Sequence, residues 1–468
     1  MTHSFLKTAL LLSAITLLCP ICTFGGDAQY ATEEQVIGSD GVGWQGVQER
    51  FNRVKDAIAK ETHADYQAYR KSPTELWVYD SRPELGIGMH GITDESLELA
   101  GKLGIKFVRC TMYWNMIETT AKPKVYDKKQ LEMWDKTVKL ARKHGVELLV
   151  VVHANPPGVS WDNRYESYKR FAGFMSDMAA RYPSVRYGEL WNEMNVAFTD
   201  LFGSGKEGEQ GFKGGKDYVA MLKLAYPAIK KSNPKAFVVM GGVAWDWREF
   251  LQGIYEAGGK DYFDVMNIHS YGMPVDWGFI THGYIARHMM RKYSDASKPL
   301  WITEFGVDAG NIVNAWGFAH DRGESDSDCF DSTHLDEWRK CIDEAREGRL
   351  YQKYFPYQFS AGNELKVKGI ETDEYARKYL PAGMNIDDYG FGLMRSDGKT
   401  PRPTYDWLLK ELVNNPIRKK TTFKCNVSIP YDGYVPVGYE YDVSDGRLVI
   451  KGVRVGSVVS VKIEMREE

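Results

Sequence analysis

Lys106-Phe-Val-Arg-Cys-Thr-Met-Tyr-Trp114, then a helical stretch Lys129–His144 stopped by Gly145, then Glu147-Leu-Leu-Val-Val-Val-His-Ala-Asn155: this strand–helix–strand unit decides the fold. Both outer runs are apolar almost without interruption, as expected of strands covered on both faces. Between them the apolar positions recur at helical spacing. Gly145 supplies the left-handed residue on which a helix commonly ends, and Gly104 does the same before the first run.

The unit repeats along the chain. Strand-like runs occupy Leu85–His90, Lys106–Trp114, Glu147–Asn155, Tyr187–Asn195, Ala236–Ala244, Phe263–Tyr271, Pro299–Val307 and, less regularly, Tyr354–Ser360. Helical stretches include Asp94–Leu103, Glu166–Arg181 and Asp217–Ser232. Eight such runs with room for a helix in each connection specify an α/β fold, a parallel (β/α)8 TIM barrel. The competing architecture, a doubly wound open sheet, would show a Gly-rich nucleotide loop after the first strand, and none follows it.

Outside residues 76–416, which hold the barrel, the texture changes. Residues 1–26 combine a short basic start with an apolar stretch from Thr8 to about Cys22, the pattern of a cleaved export signal, so an exported protein is expected. Cys19 and Cys22 raise lipid attachment as an alternative, but Pro20 and Ile21 do not make its small-residue context. Residues 27–75 read as a helical extension, with Val47, Phe51, Val54 and Ile58 on one face. Residues 417–468 alternate in strand fashion with turn signals at Asp432-Gly433 and Asp445-Gly446, a small C-terminal β appendage. The link from Asp308 to Arg349 is too long for an ordinary strand-to-helix loop and reads as a wall or cover over one rim.

The 468 residues carry a net charge of −3, which gives no reason to expect a nucleic-acid partner. No apolar run outside the leader is long enough for a transmembrane span. The 13 Trp and 28 Tyr suit a carbohydrate substrate, whose flat C–H faces stack on rings, although many must simply fill the core. An exported chain permits a disulfide between Cys329 and Cys341, while Cys110 lies in a strand and reads as a buried thiol. No Cys, His and acidic residues stand at metal-site spacing, so neither metal nor cofactor is expected.

Chemistry concentrates in two strings, Glu-Leu-Trp-Asn-Glu-Met-Asn at Glu189–Asn195 and Leu-Trp-Ile-Thr-Glu-Phe-Gly at Leu300–Gly306. Each carries a glutamate to the carboxyl end of a strand, Glu193 on the fourth and Glu304 on the seventh. In a barrel these ends share one mouth. Two carboxylates flanking a bond are the equipment of glycoside hydrolysis, and a separation of roughly 5–5.5 Å is the retaining geometry. Arg109 and Tyr271 stand at strand ends where they can keep one carboxylate ionised. Trp191 and Met194 flank Glu193 in sequence, though alternation along the strand also allows them to point elsewhere. His269 shares a strand face with Tyr271. His90, His153 and Asn155 end the first and third strands, and each is a candidate sugar contact. Trp114, Trp161, Trp245 and Trp277 fall just past strand ends as candidate stacking platforms.

Trp191-Asn192-Glu193-Met194-Asn195 resembles the Trp-Asn-Glu-Pro-Asn signature of the clan A retaining glycoside hydrolases, with Met194 in place of proline. Within the clan the texture is most like family 39, with family 5 next. The resemblance implies Glu193 as acid/base, Glu304 as nucleophile and Asn192 as partner of the sugar 2-hydroxyl. It also implies a role for Arg109 and for Ile268-His269-Ser270-Tyr271-Gly272. The eighth run lacks the tryptophan that commonly floors such a site, leaving Tyr357, Phe359 or Trp316 to replace it. The expected activity is cleavage of O-glycosidic bonds, with β-linkages favoured, in a polysaccharide or oligosaccharide by double displacement. The alternatives are a non-catalytic sugar-binding barrel and a transglycosylase using the same two glutamates.

Overall fold

The computed structural model describes residues 84–160, 163–195, 212–244, 247–271, 282–295 apart from 284, 288 and 291, 298–306, 326–347, 351–360 and 391–417, and four strands within 421–467. The leader, the helical extension at 27–75, Trp161, Trp245, Trp277 and Trp316 lie outside the described residues.

Eight parallel strands form the barrel: β1 Glu84–Gly88, β2 Phe107–Tyr113, β3 Glu147–His153, β4 Tyr187–Asn192, β5 Phe237–Gly242, β6 Met266–Ser270, β7 Leu300–Phe305 and β8 Lys353–Pro356. Hydrogen bonding runs in the order β5-β4-β3-β2-β1-β8-β7-β6. Bridges Val239–Val265 and Val243–Ile268 join β5 to β6 and close the ring. Pairing with both neighbours of β8 continues past its end, since Tyr357 N–H donates to Phe305 O and Phe359 N–H to Gly88 O, both at 2.8 Å.

The helices around it begin and end for local reasons. The helix α1, Asp94–Lys102, starts on a reciprocal cap in which Thr93 and Ser96 satisfy each other's backbone N–H. After the single turn α2, Trp114–Ile117, the helix α3, Lys128–Lys143, starts on the Asp127 side chain, which accepts from Gln130 N–H at 2.9 Å. Further helices among the described residues include α4 Arg164–Arg181, α5 Phe212–Ser232, α6 Arg248–Glu256, α7 Asp326–Glu347 and α8 Pro403–Asn414.

Most of the segment read as a long covering link is therefore α7. Buried His334, Trp338, Cys341, Ile342 and Ala345 give it a helical stripe that its polar residues obscure in the sequence. Cys329 and Cys341 both lie on this helix, twelve residues and so about 18 Å apart. A disulfide needs Cα atoms within about 7 Å, so the bridge that export would permit is ruled out.

Two apolar layers hold the barrel. Its interior toward the amino ends of the strands is filled by Phe107, Leu149, Tyr187, Val239, Val265, Trp301 and Phe355. Gly86 makes room for this filling, because a Cβ there would come within 2.5 Å of the Phe355 ring. The second and larger layer lies between strands and helices and includes Val108, Cys110, Phe171, Phe174 and Tyr218. Above the aromatic plug the inward positions turn polar, and the site begins there. Toward the C-terminus, β9 Thr421–Ser428 pairs antiparallel with β12 Ser460–Glu467, and β10 Gly438–Asp442 with β11 Arg447–Lys451. No helix among the described residues is long and apolar enough to cross a membrane.

Candidate active site

The end of β4 breaks simple alternation. Trp191 has φ +77° and Glu193 φ +46°, conformations that cost a non-glycine residue about 1–3 kcal/mol and tend to gather at functional sites. The kink at Trp191 sends its indole outward, where it packs 5.7 Å from Phe171. The next residue, Asn192, then faces inward. Glu193 is pinned by its own N–H, which donates to Gly242 O at 2.9 Å. Trp191 and Met194 are both buried in the layer between strands and helices, so neither is the apolar wall that their sequence neighbourhood with Glu193 suggests.

Six of the residues expected from sequence meet at the mouth in one network. Arg109, 3% exposed, donates from Nη1 to Glu304 Oε1 at 2.5 Å and from Nη2 to Asn192 Oδ1 at 2.8 Å. Tyr271 Oη donates to the other Glu304 oxygen at 2.7 Å. His269 Nδ1 lies 3.0 Å from Glu193 Oε1 and 3.6 Å from Glu304 Oε2. One oxygen of Glu193, one of Glu304 and the His269 nitrogen are all within 4.8 Å of one another. Gly242 is indispensable for this, because a Cβ there would sit 1.9 Å from His269 Nε2.

Two further residues belong to the network and were not singled out from sequence. Glu189, fully buried, takes both Arg109 Nε at 2.8 Å and Nη2 at 3.0 Å. Thr303, also fully buried, bridges His269 Nε2 at 3.1 Å and Glu189 Oε1 at 3.4 Å. The clue to Glu189 was available: it is a charged residue inside an apolar strand, in phase with the inward Tyr187, and a buried acid demands a cation. Thr303 had no comparable signal.

The charges balance locally. Burial raises the Glu189 carboxyl, but Arg109 and His269 outweigh it and hold the group at about 2. Burial likewise opposes ionisation of Glu304, and His269, Arg109 and the Tyr271 hydroxyl hold it below the usual carboxylate range. Burial would lower His269, yet Glu304, Glu189 and Glu193 together raise it to about 9. Among the described residues, Glu193, His269 and Glu304 are the one acid–imidazole group close enough to share an ion. A protonated His269 and the Arg109 guanidinium already supply positive charge at that point.

The raised His269 makes a prediction. Its stabilising contribution is complete below about pH 6.5 and is lost as pH rises through about 9. Thermal unfolding of the parent and of His269→Gln, run from pH 6 to 10, should show a stability gap that shrinks across that window. A gap independent of pH contradicts the charged state of His269.

The rim candidates have neighbours of their own. His90 packs edge-on to Tyr357 at 6.0 Å. His153 packs on Tyr113 at 5.3 Å and on Trp191 at 6.5 Å, and burial, followed by the Arg109 charge, lowers it to about 4. Asn155 borders a cavity beside the mouth. Trp114 is fully buried against Phe171 and Phe174, its Nε1 bonded to Glu118, so it is no stacking platform. Phe359 is buried in the core, whereas Tyr357 sits at the mouth between His90, Tyr271 and Phe391.

Comparison with known proteins adds a family model, cellulase (glycosyl hydrolase family 5), which matches residues 70–345, more than half of the chain. No curated protein matches. Similar solved structures include a family 39 glycoside hydrolase from Bacteroides cellulosilyticus WH2, with 18% identity, TM-score 0.49 and coverage of 84% of this chain and 82% of that one. A monomeric beta-xylosidase from Caulobacter crescentus CB15 shows 17% identity and TM-score 0.49, covering 76% of each chain. Endoglucanase Cel5A from Thermotoga maritima shows 15% identity and TM-score 0.44, covering 72% of this chain and 100% of that one.

Proposed function

The chain belongs to the cellulase family, glycosyl hydrolase family 5, and from that premise we propose that it is a retaining glycosidase that cleaves β-linked oligosaccharides or polysaccharides with Glu304 as nucleophile and Glu193 as acid/base. That it is a glycosidase follows from the family; mechanism, residue roles and substrate are our reading. The observation that carries it is the approach of the two carboxylates within 4.8 Å, near the separation suited to direct attack and too short to seat a water between them.

The division of labour rests on their different partners. A nucleophile must stay ionised, and Glu304 has a guanidinium on one oxygen and a phenol on the other. Glu193 has neither; its partner is His269, and it is the more exposed of the pair. In the first step Glu304 attacks the anomeric carbon while Glu193 gives its proton to the departing glycosidic oxygen. A glycosyl ester on Glu304 results. Glu193, now a carboxylate, takes a proton from water, whose oxygen attacks the anomeric carbon and releases Glu304. His269 Nδ1, 3.0 Å from Glu193 Oε1, holds that carboxyl in position beside Glu304. Asn192, held by Arg109, is fixed to meet a hydroxyl beside the reacting carbon.

Export belongs to the same proposal, supported by the basic start and apolar stretch of residues 1–26. A panel of β-linked glucans, xylans and mannans with sizing of the products tests the reading. Shorter sugars should appear from at least one polymer or its oligosaccharides. Binding without any product on long incubation would instead favour the silent sugar-binding barrel. Products longer than the substrate when an acceptor sugar is added would favour a transglycosylase.

A further inference from the structure

Two consecutive residues of β7, Thr303 and Glu304, both reach His269, which regular strand alternation forbids. The register explains it. On one side of β7, Ile302 pairs with Ile268 and Glu304 with His269; on the other, Ile302 pairs with Tyr354 and Phe305 with Pro356. Each partner strand advances one residue fewer than β7, so β7 carries a one-residue bulge at this level. Trp301 before it points into the aromatic plug, and Phe305 after it faces outward, 6.5 Å from Trp338 of α7. Thr303 and Glu304 thus enter the mouth side by side.

The donors and acceptors around Thr303 fix where the protons lie. Glu189 is held at about 2, so it is ionised, and a carboxylate can only accept. Its Oε1 takes Arg109 Nη2 at 3.0 Å, Gly242 N–H at 3.2 Å and Thr303 Oγ1 at 3.4 Å. The hydrogen between Thr303 and Glu189 is therefore the hydroxyl's own. A hydroxyl has one hydrogen, so Thr303 offers a lone pair to His269, and the hydrogen on that 3.1 Å contact sits on Nε2. The opposite tautomer would leave Thr303 with two acceptors and one hydrogen between them, in a place where Thr303 and Glu189 have no exposed surface.

Nδ1 is then the nitrogen at which the ring gains or loses charge, 3.0 Å from Glu193 Oε1 and 3.6 Å from Glu304 Oε2. The charged and titratable groups around the ring are Arg109 of β2, Glu189 and Glu193 of β4, Glu304 of β7 and, bonded to Glu304, Tyr271. We infer that Thr303 is a positioning residue of the reaction: its hydroxyl, directed by Glu189, keeps a proton on His269 Nε2 and so turns Nδ1 to Glu193 and Glu304 as the titrating atom. The inference rests on the glycosidase reading above and adds to it a residue that acts through His269 without touching the sugar.

Proton–nitrogen correlation NMR on protein labelled at the histidine ring nitrogens tests it, with His269 identified by the signals missing from His269→Gln. Above about pH 9, where the ring loses its charge, Nε2 should keep its proton and Nδ1 should be bare. Thr303→Val keeps the side-chain shape but removes the acceptor. The ring should then shed its Nε2 proton instead, about one pH unit lower, the worth of one hydrogen bond to a charged group at the low end. In the same variant kcat on a β-linked glycoside should fall about tenfold with KM little changed. Thr303→Ser, which restores the hydroxyl, should recover most of both effects. A proton on Nδ1 of the neutral ring in the parent overturns the inference whatever becomes of the variants. So does a Thr303→Val protein with parental His269 titration or parental turnover. A parent that shows the expected ring but cleaves no glycoside would instead overturn the glycosidase reading, and with it any part for Thr303 in catalysis.

Discussion

Glu304→Gln should lower turnover on the order of 10⁴-fold while leaving the fold in place. The amide is nearly the shape of the carboxylate: its oxygen can still accept from Arg109 and its NH2 can donate to the Tyr271 hydroxyl oxygen, so the network survives in outline. What disappears is the charge that attacks the anomeric carbon. Glu193→Gln should behave differently. Without an acid, a substrate with a poor leaving group suffers most, whereas an aryl glycoside that departs unaided retains much of its first step. Steady-state rates on an alkyl and an aryl glycoside, with circular dichroism to establish folding, separate the two. Equal losses on both substrates for both variants would mean that the roles have been misassigned.

Arg109→Met should be the most damaging single change to stability, by about 3–5 kcal/mol, because it removes the cation from two buried carboxylates at once. Glu189 is the sharper loss: fully buried, it keeps its charge only through Arg109 and His269. In the parent, the Glu189 contribution is present above about pH 4.5 and is lost as pH falls through about 2. Arg109→Lys should recover only part of the loss, since an ammonium cannot reach Glu189, Glu304 and Asn192 with the fork that the guanidinium provides. Pairing Arg109→Met with Glu189→Gln should restore part of the stability but not activity, because Glu304 still lacks its partner. Urea unfolding of the four proteins measures this. An Arg109→Met variant within about 1 kcal/mol of the parent would contradict the role given to the buried pair.

The barrel was readable because strand and helix periods alternate so regularly. Each of the eight apolar runs contains or overlaps an observed strand, with ends shifted by a few residues. Glu193 and Glu304 were readable for a related reason: strand ends converge, so two acids at strand ends meet whatever the loops do. The resemblance to family 39 and then family 5 also pointed correctly to the clan, and the family model that matches is that of family 5.

What escaped sequence reading depends on backbone conformation or on side chains several strands away. The kink at Trp191 reverses the facing of Asn192, and nothing in a Trp-Asn dipeptide announces a positive φ. Glu189 was hidden by its neighbours in the very string that was singled out, although a charge in a buried strand is itself a signal. Thr303 gains its place from His269, which arrives from the adjacent strand, and from Glu189 across the barrel. The helix Asp326–Glu347 was read as an irregular link because its acidic start and polar faces mask a narrow buried stripe.

The central claim is that Glu304 bonds to the sugar before water does. Proton NMR of the first sugar released from a β-linked substrate, recorded before mutarotation, reads this directly. Two displacements at one carbon should give the β-anomer first. An α-anomer appearing first would mean that water attacks in a single step, and the nucleophilic role of Glu304 would be wrong.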